Sequence, residues 1–555
     1  MFGAGPAARA RQSFLIPFLL FAASAAFTLW RNTQVAVLVD LSYILNTATR
    51  IAAGEVPYLQ FPLVLAPFVF LTQALLIKAF GSHFFVQIAY ATLVGGVGTA
   101  LGYVIVRRLV DTPLGRPTVV AVILSIPLVP LGIYAIFPHP FYDPDACFFV
   151  LATLAAVLAA RDRPTPARGL MAGALLAVPI FVKQTIGGAF LVLMVAALLA
   201  DAVARPAGRP SFRWIMAGLV VCLGLEIAAL QLVVGIDHYL MWTWNFAIAG
   251  RGVSLDRMRT FVDPIVIWPG VLILGLAALA RSLPARARGP IFVAGLCLPL
   301  FATVFVPTVL PVAPALFPPL LIAASVLSVI QLVRSGVRFE TLIPLVVAGA
   351  AGAAILSHDL YGSTYGIFPL LVLALAALVR DLGRFVERPT QIAPLTGAVL
   401  ALTLAASGFV YTVTNARLLF ADVNAPGPVA RSDFPALAGL SARGPYIADL
   451  DAILVWTRDN VPPDEPFVFL PGEDPAFFAL GRPPRLPSVY FYDVANPYSP
   501  GEIARFADEV GLRWVFVKDR LQLVEEPPLE QSLVAALTEH ATLVTRVGPY
   551  RVYRR

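Results

Sequence analysis

Phe61-Pro62-Leu63-Val64-Leu65-Ala66-Pro67-Phe68-Val69-Phe70-Leu71-Thr72-Gln73-Ala74-Leu75-Leu76-Ile77-Lys78-Ala79-Phe80 carries a single charge. By count it is long enough to cross a bilayer. Whether it crosses or lies along the surface sets the side of every later loop. Counted as a span, it places Arg107, Arg108, Arg161, Arg163 and Arg168 outside. Read as a Pro-led helix lying at the outer interface, it places them inside. Cytoplasmic segments then hold 19 of the 26 basic residues in 1–412. Positive charge collects on the cytoplasmic side of membrane proteins, so the interfacial reading is preferred.

The rest of the chain supports a polytopic, all-α membrane protein. Of 555 residues 59% are hydrophobic and 13% charged, and the mean hydropathy is +0.81. Such a composition excludes an ordinary soluble protein. Uncharged cores are predicted as spans at 13–30, 84–106, 118–136, 146–160, 169–182, 185–200, 265–280, 289–310, 312–333, 341–357, 367–379 and 392–412. Segment 214–235, which contains only Glu226, makes about thirteen. The first is read as a retained span, not a signal peptide, because no small-residue cleavage site precedes a soluble domain. The N-terminus is then cytoplasmic. The outer loops are 31–83, 137–145, the turn at Lys183, 236–264, about 310–312 and 358–366.

From about residue 413 the character changes. Residues 413–555 hold 14 Lys+Arg and 18 Asp+Glu, a net −4, against 26 and 15, a net +11, in 1–412. A basic membrane part reflects topology, not nucleic-acid binding. Pro466–Pro471, Trp514–Lys518 and Ala541–Arg546 read as strands, Val547-Gly548-Pro549-Tyr550 as a hairpin turn, and 446–460 and 501–511 as helices. The expectation is a membrane domain, 1–412, and a small extracytoplasmic α/β domain, 413–555, that acts as lid, acceptor dock or packing. Cys147, Cys222 and Cys297 lie in or beside apolar runs without C-x-x-C spacing and read as free thiols. The five histidines are scattered and form no metal motif.

Several polar residues at span ends invite a chemical reading. Asp40 follows Val35–Val39, where a carboxylate is costly unless solvated or used. Its plain alternative is a cap for a helix starting near Leu41. Asp143 and Asp145, in Phe141-Tyr142-Asp143-Pro144-Asp145, close the second outer loop. They suit an acceptor hydroxyl or a cation, or else a turn and helix start. Lys183 is one of only three lysines, with Lys78 and Lys518. At a span end it suits a phosphate, or simply snorkels. His358 and Tyr361 precede the next-to-last span, and Arg251 lies in a loop rich in Trp and Tyr; both are also compatible with an aromatic belt. Glu226 is read as a packing residue.

Asp40-x-x-Tyr43, then Arg50, then Gly54-x-x-Pro57-Tyr58-x-x-Phe61, followed by the apolar helix, resembles the opening of GT-C glycosyltransferases. The resemblance is to the group of bacterial, polyprenyl-phosphate-sugar-dependent enzymes that includes the dolichyl-phosphate-mannose protein mannosyltransferases and the lipid A aminoarabinose transferases. Gly169-x-x-x-Gly173 ending in Lys183-Gln184-Thr185 looks like a recurrent segment of bacterial members. What the resemblance implies is a hexosyl- or pentosyltransferase in a bacterial inner membrane, with a lipid-linked donor and a lipid, glycan or protein acceptor outside. Asp40 would be the general base, with Asp145 and Asp143 as further acids. Lys183, Arg251, His358, Tyr361, Arg50 and Tyr58 would lie by the donor phosphate or its lipid. A divalent cation, Mg or Mn, is left open. The first loop lacks the paired Asp-Glu of protein O-mannosyltransferases and the Asp-x-Asp of oligosaccharyltransferase catalytic subunits. The rival class is a transporter or flippase for a lipid-linked glycan; it is disfavoured by the absence of an internal repeat and by the near-absence of polar residues within the spans.

Overall fold

The computed structural model describes residues 6–110, 117–247, 316–356, 364–385, 392–418, 420–492, 495–523 and 531–555, with isolated positions between 282 and 314. Helix α1 (Pro6–Asn32) is followed by α2 (Leu38–Ala52), α3 (Phe68–Phe80) and α4 (Phe84–Leu109). Next come α5 (Pro117–Ser125), α6 (Tyr142–Asp162), α7 (Pro166–Val182), α8 (Gln184–Ala204), α9 (Arg209–Val233) and the short α10 (Ile236–Leu240). The bundle resumes with α11 (Phe317–Ser335), α12 (Phe339–Leu356), α13 (Thr364–Phe385) and α14 (Ile392–Val413). Among the described residues nine helices are long and apolar enough to cross a membrane: α1, α4, α6, α8, α9 and α11–α14. The span expected at 265–280 lies outside the described residues, and of 289–310 only isolated positions are described.

The segment whose reading sets the topology does not form a helix of spanning length. Pro62 and Pro67 keep 62–67 out of regular structure, and α3 has 13 residues. At about 1.5 Å per residue it is about 20 Å long, short of the roughly 30 Å hydrocarbon core. It buries Val69, Phe70, Gln73, Ala74 and Ile77 and exposes Leu71, Leu75 and Phe80. An apolar outer face suits a helix lying in the interface.

One expected span is corrected. The run 118–136 does not continue as a helix: α5 ends at Ser125, a single 3-10 turn covers Ile126–Leu128, and a buried irregular segment follows. Pro127 and Pro130 remove backbone donors. Gly132 lies so close to Leu128 that a Cβ there would stand 2.1 Å from its carbonyl oxygen. The segment is apolar because it is packed in protein, with Leu131, Ile133, Tyr134 and Phe137 all buried.

Helix contacts are made by small residues, as in membranes generally. A Cβ on Gly173 would meet the Ile215 carbonyl at 2.0 Å, and one on Gly218 the Leu170 carbonyl at 2.3 Å, so α7 and α9 touch backbone to backbone. The G-x-x-x-G of α7 is therefore a packing seam. Helix α13 is the bundle's centre: its apolar window is wholly buried, whereas little of those of α1 and α9 is buried.

The three strands expected in the tail form, and three more join them. β1 (Ala430–Arg431) pairs with β2 (Ser441–Ala442). β3 (Phe467–Leu470), β4 (Trp514–Lys518), β5 (Thr542–Val547) and β6 (Tyr550–Arg554) form a sheet of order β3-β4-β6-β5, with β3 and β4 parallel. Helices α15 (Tyr446–Asn460), α16 (Ala476–Leu480), α17 (Pro500–Glu509) and α18 (Gln531–Thr538) accompany it. Strand side chains alternate between faces. Val468, Val515 and Val517 pack with α17 and α18, while Phe467, Phe469, Trp514 and Phe516 pack with α15. That second core continues into Leu38, Leu41 and Leu45 of α2, Ala74 and Ile77 of α3, and Phe84 of α4. The sheet is thus seated directly on the helix that carries Asp40.

Candidate active site

Helix α2 starts at Leu38, with Val37 at its N-cap making no side-chain capping bond. Asp40 therefore lies inside the first turn, half-buried, and not at the cap position that the plain reading assigned it. A carboxylate there faces the positive end of the helix dipole. The helix is gripped by the tail. The Leu38 amide donates to Gln522 Oε1 (2.8 Å), and Gln522 Nε2 donates to the Ala36 carbonyl (2.9 Å). Ser42 Oγ donates to the carbonyls of Gly472 (2.6 Å) and Asp474 (2.8 Å). Asn46 donates to the Asp474 carbonyl and accepts from the Phe478 amide.

Behind that grip is a fully buried ion network. Lys518 Nζ donates to Glu473 Oε2 (2.7 Å) and Asp474 Oδ1 (2.8 Å). Tyr550 donates to the other Asp474 oxygen, and the Gln522 and Leu523 amides to Glu473. Burial alone would lower the Lys518 pKa; the two carboxylates outweigh it and raise it above the ordinary lysine value. These residues escaped sequence reasoning. Their signal was a lysine ending the apolar strand Trp514-Val515-Phe516-Val517-Lys518 in a chain with three lysines, and the acid pair Glu473-Asp474 beside Pro471-Gly472.

At the start of α6, Asp143 and Lys183 form a buried ion pair. Asp143 has no exposed surface and Lys183 4%. Lys183 sits in the extended break between α7 and α8, which turns its side chain back to α6, with its ammonium 5.2 Å from the centre of the Tyr142 ring. Gly366, at the start of α13, abuts the same spot: a Cβ there would come within 2.8 Å of the Pro144 nitrogen. Asp145 points elsewhere. It accepts from Tyr90 on α4 (2.8 Å) and from Tyr134 (2.7 Å), tying α4, the irregular segment and α6 together.

Ring contacts connect α2 to α6 through α3. Tyr43 stands edge-on to Phe70 (5.5 Å) and Phe68 edge-on to Phe149 (4.9 Å), less than two turns along α6 from Asp143. Tyr490 of the tail packs on Tyr43 (5.3 Å) and on Tyr492 (4.6 Å). The Gly54–Phe61 turn is held from within. Arg50 donates to Glu55 (2.7 Å) and to the carbonyls of Leu486 (2.8 Å) and Pro487 (2.9 Å), and it lies over the Phe61 ring (4.4 Å). Burial lowers the Arg50 pKa and Glu55 opposes the shift. Tyr58, at φ 70°, donates to the Leu65 carbonyl (2.7 Å), and its own carbonyl accepts from Trp242 (3.1 Å). Arg251, His358 and Tyr361 lie outside the described residues.

The structure thus couples Asp143 with Lys183, gives Asp145 to two tyrosines, and places Asp40 on a helix clamped by the tail. Among the described residues no three His, Cys, Asp or Glu side chains gather as a metal site. The sequence matches no protein-family model and no curated protein. Among solved structures, the fold is similar to that of the Archaeoglobus fulgidus oligosaccharyltransferase, crystallised with zinc and sulfate. The TM-score is 0.50 with 13% identity, over 90% of this chain and 68% of that one. ArnT from Cupriavidus metallidurans, bound to undecaprenyl phosphate, aligns over 97% of both chains at a TM-score of 0.44 and 13% identity. The first likeness shows the fold alone: a polytopic helical bundle, which in this chain is followed by a small C-terminal sheet.

Proposed function

We propose that this chain is a membrane glycosyltransferase that moves a sugar from a polyprenyl-phosphate donor to an acceptor outside the cell membrane. The observation that carries the reading is the position of Asp40. It is a half-buried carboxylate in the first turn of the helix after the first span, on a GT-C-like fold, with that helix fixed by the tail. Asp40 takes the proton of an acceptor hydroxyl. The acceptor oxygen attacks the anomeric carbon, the bond from that carbon to the phosphate oxygen breaks, and the polyprenyl phosphate leaves with the electron pair. One displacement inverts the anomeric centre. The leaving phosphate gains a negative charge, and Lys183, oriented by Asp143, is the described cation suited to meet it. Arg251, His358 and Tyr361 are proposed to join it. Arg50 and Tyr58 support the loop through the bonds described above.

A divalent cation is given no step. Asp143 is engaged by Lys183, and Asp145 by two hydroxyl donors, which suits neither to a shared metal. We place the protein in a bacterial inner membrane, N-terminus cytoplasmic, with 413–555 as the outer domain over the membrane domain 1–412. The gathering of arginines at the ends of α4, α6 and α13 supports that orientation.

The test is transfer from a radiolabelled polyprenyl-phosphate sugar to extracted glycan, lipid and protein acceptors in proteoliposomes. Wild type is expected to transfer, and Asp40→Asn, expressed and folded, to lose about 10²–10⁴-fold, the span of a general base. Equal transfer by both would remove Asp40 from the mechanism. Movement of the lipid-linked sugar across the bilayer without transfer would replace the enzyme by a carrier.

A further inference from the structure

Asp143 and Asp162 stand at opposite ends of α6. At about 1.5 Å per residue they are roughly 28 Å apart, close to the roughly 30 Å hydrocarbon core. Events at the Asp162 end therefore belong to the other face of the membrane from Lys183. At that end a cavity of about 490 Å³ opens between the last turns of α4, α6 and α13 and the start of α12. Arg107, Arg108, Arg161, Arg380 and Arg384 line it, with Asp162 and Glu340 as the acids: five charges against two, a net +3. Adding the neighbours Asp201, Asp381 and Arg205, which pair with lining residues or with each other, leaves six against four, a net +2.

Four of these arginines have carboxylate partners in the protein, and two of the four are nearly buried. Arg161 bonds Asp201 (2.8 Å) and Arg380 bonds both Asp381 oxygens (2.8 Å each), at 11% and 2% side-chain exposure. Arg108, which pairs with Asp162 and donates to the Leu158 carbonyl (3.0 Å), and Arg384, 3.4 Å from Asp381 Oδ1, are more open, at 26% and 32%. The remaining wall is apolar: Val104, Leu109 and Leu158. Val104 is 43% exposed on α4, a helix of spanning length, so the cavity's edge continues onto the lipid-facing surface. A guanidinium fork matches a phosphate geometrically and is weakly hydrated. Positive charge beside an apolar wall at membrane depth suits an amphiphile more than a freely soluble anion.

We infer that this cavity binds the phosphate headgroup of an anionic membrane lipid, with an acyl chain laid over Val104. The site is separate from the candidate active site and stands whether or not the transferase reading holds.

The test uses the full-length protein in detergent, with lipid binding followed by native mass spectrometry and thermal shift. The probes are dioleoyl phosphatidylglycerol, dioleoyl phosphatidylcholine and inorganic phosphate. Phosphatidylglycerol is expected to bind one saturable site at least tenfold more tightly than phosphatidylcholine, with millimolar phosphate competing only weakly. Arg107→Gln/Arg384→Gln is expected to weaken phosphatidylglycerol at least tenfold, and Arg384→Lys by less. Glu340→Gln, at an exposed position, removes an acid and is expected to tighten binding, which tests the site even if the double variant folds poorly. Unchanged affinity in Arg107→Gln/Arg384→Gln and Glu340→Gln, or equal binding of both lipids, would overturn the inference. Competition by phosphate as strong as that of the lipid would assign the cavity to a soluble anion and overturn the lipid.

Discussion

Replacing Lys518 by Met is the most informative perturbation of the scaffold. It takes the one cation from between Glu473 and Asp474, where all three side chains are at most 2% exposed. At an effective dielectric of about 20, a contact of this length is worth about 6 kcal/mol before desolvation is counted. Removing one partner of a buried pair costs about 3–5 kcal/mol, because the other charge stays behind. The remaining donors, Tyr550 and the amides of Gln522 and Leu523, keep the cost within that range. For a unit the size of the tail this is a fall in Tm on the order of 10 °C.

The same backbone bears the carbonyl that receives Ser42 and Asn46, so α2 loosens with it. The assay is thermal unfolding of the full-length protein, with limited proteolysis reporting on 413–555, from pH 5 to pH 9. In wild type the Lys518 pKa is raised, so its contribution is complete below the unfolded value of about 10.4 and is lost only as pH rises through the higher folded value. Across the assay range it is constant. In Lys518→Met the orphaned carboxylates bind protons more readily folded than unfolded, so stability rises as pH falls and the gap to wild type narrows toward pH 5. A gap below about 1 kcal/mol, or one equal at pH 5 and pH 8, would refute the reasoning.

Other outcomes follow from single contacts. Lys183→Met is expected to destabilise by about 3–5 kcal/mol by stranding Asp143, and Asp143→Asn/Lys183→Met to recover most of it; additive losses in a double-mutant cycle would show that the pair is not coupled. His139 is buried between Phe84 and Phe137, and burial with the nearby Arg31 charge lowers its pKa to about 3. The unfolded chain binds its proton first, so stability rises with pH between about 3 and 6.5 by up to about 1.4 kcal/mol per unit from this residue. His139→Phe should flatten that slope in an acid titration of Tm, and an unchanged slope would contradict the burial argument. Gly173→Leu is expected to part α7 from α9 at a cost of at least about 1–3 kcal/mol. Normal yield and Tm for that variant would disprove the close seam.

The bundle was legible because hydropathy is a local property. Each spanning helix satisfies its own backbone, so an uncharged run of sufficient length announces itself. The run 118–136 misled for the same reason: packing inside protein and immersion in lipid select the same residues, and only Pro127, Pro130 and Gly132 marked the break. The tail strands were legible from alternation, but β6 was hidden beyond its turn in the mixed sequence Tyr550-Arg551-Val552-Tyr553-Arg554.

At the site, sequence singled out Asp40, Asp143, Asp145 and Lys183 as separate charges at span ends. It carried no sign that Asp143 would take Lys183 from 40 residues away, or that Asp145 would go to Tyr90 and Tyr134. Composition and periodicity were enough to read a membrane bundle and a tail with strands, because both act over one helix or strand at a time. Which charges meet, how the tail grips the helix of Asp40 and the gathering of five arginines at one cavity emerge with the packing of the elements. Those pairings join elements far apart in the chain, and their energy depends on distance and burial, which no local pattern encodes.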